Sequence, residues 1–338
     1  MSLKQHYARF YQAVEQTDVM RWIVQSIRKQ ARCEDRYIAL FILFIYACGI
    51  TANLANSFFF HYGITLFGLN DIALILGPGI LWGAGIIAEK KYPYGGNITL
   101  SIAFAGLFWI TMAVGCAPLL ATPFEHNLID PILLHWDQLL GFKQITFIET
   151  LHHYPTLITA LHYAYDSWAY QTCFTVIIIA LCGLTRMTRL WLLASFVTFV
   201  IGGLTYYCFP SLPPPAHLID RFFKISSYNL IDRFYYIHQH LPYALRGSDG
   251  LIAFPSFHAT QAILNSLFLW VCQTQVTRYR WLLLMANIAL TCINILLLLA
   301  TIGLGFHYIV DIIAGCLLAF FGFWAAGSLT KATAKAHQ

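Results

Sequence analysis

Long apolar runs alternate with short polar breaks along the chain, and the runs have the length of a bilayer crossing. They fall at roughly 37–56, 64–88, 98–120, 156–183, 189–209, 257–274, 281–303 and 307–328, each near the ~20 residues a helix needs to cross the hydrocarbon core. The pattern predicts an all-α fold, a polytopic membrane helical bundle of about eight transmembrane helices. Composition fits: 59% of the 338 residues are hydrophobic, 10% are charged and the mean hydropathy is +0.64, which leaves too little polar surface to cover a soluble globule.

Lys and Arg near span ends gather on the cytoplasmic side of a membrane. With the N-terminus inside, Lys90 and Lys91, Arg186 and Arg189, Arg278 and Arg280, and Lys331 and Lys335 all fall inside. Both termini are therefore expected in the cytoplasm. The long connection between the fifth and sixth runs lies outside and carries Arg221, Lys224, Arg233 and Arg246. The net charge of +5 then reflects topology, and nucleic acid is not an expected partner. Residues 1–36 are polar and basic, and read as an amphipathic arm on the inner surface. Cysteines sit singly in apolar runs, without a Cys-x-x-Cys, and read as small buried hydrophobes.

Three polar breaks meet at the outer side under this topology. Gly303 to Asp311 reads Gly-Leu-Gly-Phe-His-Tyr-Ile-Val-Asp. On a helix, His307 and Asp311 would share a face, the carboxylate orienting one imidazole nitrogen and leaving the other to attack an electrophile. The helix start is expected to offer unpaired N–H groups to an anion, with Gly305 letting it approach the backbone. The second break, Pro255-Ser256-Phe257-His258, places Pro255 at a helix start, where Ser256 can hold an anion and His258 lies in the first turn. The third, Phe209 to His217, holds a proline run that cannot stay helical.

These residues resemble the second and third signatures of the type 2 phosphatidic acid phosphatase superfamily, and the proline run is similar to a variant of its first. Phe254 to His258, Gly305 to Asp311 and the stretch Leu128 to Phe142 are similar to the branch holding the inositol phosphorylceramide synthases and their bacterial relatives. The resemblance covers about residues 125–325 and implies a six-helix core within 98–330, two additional transmembrane helices in 37–97 and a cytoplasmic tail at 331–338. It implies His307 as the nucleophile, Asp311 as its orienting partner, His258 as acid and then base, and Ser256, Pro255 and Gly305 around the phosphate. No carboxylate cluster suited to two magnesium ions stands out, so no metal and no cofactor are expected.

The superfamily's phosphatases carry a Lys and an Arg in the first signature and an Arg six residues before the nucleophile. Here that last position is Thr301, and the first signature offers only His217. A monoester carries more charge than a diester and loses more when cationic clamps are missing. The reading that follows is a phosphotransferase that moves a phospho-headgroup, inositol phosphate foremost by resemblance, from a phospholipid donor to a hydroxyl-bearing lipid or sugar acceptor. A lipid phosphate or pyrophosphate phosphatase would use the same triad, and a transporter lined by histidines is a third reading.

Further candidates for substrate contact are His162 and Asp166, four apart in the fourth apolar run, Arg246 and His217 on the outer loop and its proline run, and Asp137 between the third and fourth runs. An ionisable residue in a span is a functional candidate by default. A buried structural pair explains His162 and Asp166 as well, and a solvated or capping position explains Asp137.

Overall fold

The computed structural model describes residues 26–27, 31–59, 69–116, 128–218, 231–232, 234–235, 253–277 and 279–336. The described parts of the apolar runs are largely helical. The first three give α1 (Cys33–Phe59), α2 (Leu69–Lys91) and α3 (Pro93–Ile110), the last continuing through a π-helical turn at Thr111–Cys116. Two short helices follow, α4 (Asp130–Leu139) and α5 (Gln144–His152), then α6 (Pro155–Asp166), α7 (Trp168–Leu181) and α8 (Thr185–Cys208). After the proline run come α9 (Phe257–Gln275), α10 (Arg280–Gly303) and α11 (Ile309–Ala336). No strand occurs among the described residues.

Five of these are long and apolar enough to cross a membrane: α1, α3 with the start of its π turn, α8, α10 and α11. The chain is a multi-pass membrane protein of helical-bundle type. The fourth apolar run is not one helix as expected: Ser167 separates α6 from α7, and its hydroxyl donates to Ala164 O at 2.7 Å while its N–H donates to Tyr163 O. Such local side-chain bonds to the preceding turn bend helices. The N-terminal arm lies largely outside the described residues, but its last part does not. Glu34 and Asp35 begin α1 and are buried.

Helix α8 is central, with 78% of its most apolar window buried against 22% for α1 and for α10. Trp191 of α8 is fully buried and packs on Phe108 of α3, in a cluster that includes Phe196, Phe199 and Phe268. Several polar groups inside the bundle are paired with one another, as a low-dielectric interior favours. Trp191 Nε1 donates to Asn265 Oδ1 at 2.9 Å, and Gln261 Nε2 donates to the same oxygen at 3.0 Å.

At one end of α8, Arg189 is fully buried, donating through Nε to Asp35 at 2.9 Å and through Nη2 to Glu89 at 2.8 Å. Trp82 Nε1 also donates to Asp35, and Arg186 pairs with Glu34 at 2.8 Å. The network ties α1, α2 and α8 together by charge. Arg186 and Arg189, expected from sequence on the inner side, are thus bound to carboxylates of α1 and α2, about 100 positions or more away in the chain.

The proline run leaves α8 at the other end, folding back into the protein. Pro210 to Pro215 are buried. Ser211 Oγ accepts from Phe254 N–H at 2.9 Å, and Leu212 N–H donates to Asp130 Oδ1 at 2.8 Å. The run is a wall between α4 and the start of α9.

Candidate active site

Two helix starts meet beside this wall. At the first, Ser256 is the N-cap of α9: its Oγ accepts from Ala259 N–H at 3.3 Å, and its own N–H donates to the backbone oxygen of Asp311. Pro255, which precedes it, is joined to Phe254 by a cis peptide bond. Thr260 Oγ1 lies 2.9 Å from Ser256 O and 3.0 Å from Gly315 O, and its one O–H is shared between the two carbonyls, linking α9 to α11. A side chain at Gly315 would collide with the Ser256 carbonyl, so glycine is what lets the two helices approach this closely.

At the second start, His307 lies in the turn before α11 rather than in the helix, because the chain reverses through Gly305 at φ +77°. The imidazole Nδ1 is 2.9 Å from the carbonyl oxygen of Ala253 and 3.4 Å from Asp311 Oδ2. Asp311 lies near Nδ1, but the hydrogen bond of that nitrogen goes to a backbone carbonyl. Since a carbonyl only accepts, Nδ1 carries the proton and Nε2 is left with its lone pair. Asp311 Oδ2 accepts from Tyr308 N–H at 2.8 Å, so the carboxylate also closes the turn.

The helix-start N–H groups expected to receive an anion at α11 are occupied. Ile309 N–H donates to Asp137 Oδ2 and Val310 N–H to Asp137 Oδ1, both at 3.1 Å. Gly305 N–H donates to Ile302 O, and His307 N–H to Thr301 O. A carboxylate from α4 has taken the place that a ligand would need. At α9 the balance differs: Ala259 and Thr260 N–H groups bond to Ser256, while those of Phe257 and His258 belong to the first turn, where no intrahelical acceptor exists.

His258 faces His307, with ring centroids 6.1 Å apart and planes at 61°. Tyr165 lies parallel to His258, and on its other side to Phe306, at 4.5 and 4.6 Å. Trp168 completes the aromatic wall, 5.0 Å from His258. The two imidazoles thus face each other at close range, on elements fastened to each other and flanked by aromatic rings. That arrangement suits nucleophilic displacement by one ring and proton transfer by the other.

A model of the PAP2 superfamily matches residues 131–325. The chain belongs to the PAP2 superfamily. Membership brings phosphoryl-transfer chemistry, by phosphatase or phosphotransferase, and the matched segment carries both histidine turns and the proline wall. No curated protein and no solved structure matches the chain.

The remaining sequence candidates of this PAP2 protein are dispersed. Asp166 is exposed and His162 half-buried on α6. His217 Nε2 stands 3.7 Å from Asp130 Oδ2, which makes it a partner of α4. Burial raises the Asp130 carboxyl to about 6, against the pull of the Leu212 N–H and of His217. Asp137 is buried and held above the usual carboxylate range by that burial, with its two N–H donors opposing. Arg246, like Arg221 and Arg233, lies outside the described residues. Among those described, no Lys or Arg pairs with His258, His307 or Asp311.

Sequence reasoning missed Ala253, Gln144, Tyr165 and Trp168. Gln144 is buried and its Nε2 donates to His307 O at 3.0 Å. Tyr165 and Trp168 lie one and two residues from Asp166, in the same polar stretch of the fourth run. Ala253 acts through its backbone and leaves no signal in residue type.

Proposed function

We propose that this PAP2 protein is a membrane lipid phosphotransferase that moves a phospho-headgroup from a phospholipid to a hydroxyl-bearing lipid or sugar through a phosphohistidine on His307. The observation that carries the reading is the Ala253-anchored imidazole of His307 opposite His258. His307 Nε2 attacks phosphorus, the bond to the diacylglycerol oxygen breaks, and His258 donates the proton that this oxygen takes up. In the second half, the acceptor oxygen attacks the same phosphorus, its proton passes to His258, and the N–P bond breaks. Each histidine returns to its starting state. The N–H groups of Phe257 and His258, with the Ser256 hydroxyl, hold the non-bridging oxygens at the start of α9, where the helix dipole favours an anion.

Transfer is favoured over hydrolysis by Thr301, which occupies the position of the phosphatases' arginine, and by the aromatic wall of Tyr165, Phe306 and Trp168 that limits water. Inositol phosphate is the leading headgroup, on the likeness of Phe254 to His258 and Gly305 to Asp311 to the inositol phosphorylceramide synthase branch. About eight spans with the six-helix core in 98–330, both termini cytoplasmic and the histidines at the extracytoplasmic face complete the reading, on the strength of the Lys and Arg distribution.

The test uses the full chain in detergent with headgroup-labelled phospholipids, with and without ceramide or diacylglycerol, beside His307→Ala. Label on a new lipid, with the wild type alone, is the expected result. Release of water-soluble phospho-headgroup regardless of acceptor would make the protein a hydrolase.

A further inference from the structure

Helices α4 and α5 have ten and nine residues, about 15 Å each at the helical rise, so neither crosses a membrane. Both nonetheless pack on the turn that carries His307. From α4, Asp137 is 1% exposed and places one carboxylate oxygen on the N–H of Ile309 and the other on that of Val310. From α5, Gln144 is 4% exposed and donates from Nε2 to the carbonyls of His307 and Ile302 at 3.0 and 3.3 Å. A tight connection holds the two at fixed separation: Phe142 N–H donates to Asp137 O at 3.0 Å, and Gly141 has φ +75°. Leu133 of α4 is fully buried against Tyr308 and Val310.

Asp137 does not pair with a cation among the described residues, and both its oxygens are used by backbone of α11. A carboxylate at a helix N-terminus is favoured by the dipole as well as by the bonds. The geometry points to Asp137 and Gln144 as positioning residues that grip the His307 turn from both sides and aim Nε2 at the phosphorus. This rests on the phosphotransferase reading of His307 for its purpose, but the grip itself has a readout apart from turnover. It replaces substrate contact as the role of Asp137.

The isosteric variants Asp137→Asn and Gln144→Met remove the grip with little change in volume. An asparagine can accept from only one of the two N–H groups and presents its own donors to the other. With the full chain in detergent and short-chain phosphatidylinositol as donor, kcat is expected to fall about 10- to 100-fold with KM within about threefold, the cost of a small misplacement of a reacting group. Diethylpyrocarbonate modification, followed peptide by peptide, is expected to accelerate at His307 by at least about fivefold relative to His258, since only the His307 turn loses an anchor. General loosening of the fold would accelerate both histidines equally and would overturn the inference. So would a wild-type kcat in both variants, or a raised KM at unchanged kcat, which would return Asp137 to substrate binding. A wild type inert toward the donor defeats the functional reading, and the His307-to-His258 modification ratio still decides the positioning role.

Discussion

The ring of Tyr165 lies parallel to the imidazole of His258, with centroids 4.5 Å apart and planes at 23°. Tyr165 is itself backed by Phe306, the residue before His307. One aromatic side chain from α6 therefore touches both histidine-bearing segments. When His258 carries a proton, the ring faces stabilise the cation.

Removing the ring should cost more than removing its hydroxyl. Tyr165→Ala is expected to lower headgroup transfer about tenfold, the equivalent of an aromatic contact worth about 1 kcal/mol or slightly more, and Tyr165→Phe to stay within about threefold. Initial rates of label transfer decide between them; equal losses in both variants would assign the role to the hydroxyl.

The two histidines should fail at different steps. His307→Ala removes the nucleophile and with it any acid-labile, base-stable label on the protein. His258→Gln leaves the nucleophile but not the proton donor, so transfer should drop about 10²- to 10⁴-fold. Autoradiography of acid- and base-treated protein after brief exposure to phosphorus-labelled donor checks both.

Gly315→Ala drives a methyl group against the backbone carbonyl of Ser256, which cannot move aside as a flexible side chain would. Overpacking of this kind costs about 1–3 kcal/mol. The variant should unfold at lower temperature in detergent, and its transfer rate should fall because His258 lies in the first turn of α9 and His307 in the turn that leads into α11.

Arg189→Met would leave Asp35 and Glu89 without their buried cation, a loss of about 3–5 kcal/mol. Lysine should restore only part of this, since it lacks the fork that reaches both carboxylates. Thermal unfolding of the three proteins gives the order arginine, lysine, methionine.

Asp130 predicts a pH dependence. Its carboxyl is raised by burial to about 6 in the folded protein, so the folded state binds its proton more tightly than the unfolded state does. The stability it contributes is full below the ordinary carboxylate value near 4 and is lost as pH rises through about 6. Unfolding temperature should therefore fall between about pH 4 and 6.5, and Asp130→Asn should flatten this component of the curve. An unchanged profile would mean that the Asp130–Leu212 contact does not sense the proton.

Helix was legible wherever hydrophobicity alone determines structure, because a run of about 20 apolar residues must satisfy its backbone internally in a bilayer. The division of the fourth run was not, since the break at Ser167 depends on one hydroxyl bonding the preceding turn. His258, His307 and Asp311 were legible as candidates because imidazole and carboxylate are residue types that nucleophilic and acid–base chemistry uses. The neighbours that set them were not, because Gln144 and Ala253 act on or through backbone atoms, for which no residue type is diagnostic.

The sequence by itself determined a multi-pass helical protein and the three polar breaks that hold its reactive groups, since hydropathy and residue chemistry are local properties. Only the tertiary structure decided that Ala253 anchors His307 more closely than Asp311, that Asp137 occupies the α11 start, and that Arg189 is bound to Asp35 and Glu89. Each of these joins atoms from segments far apart in the chain, and a backbone carbonyl or N–H becomes specific only when folding brings it within hydrogen-bond distance of one side chain.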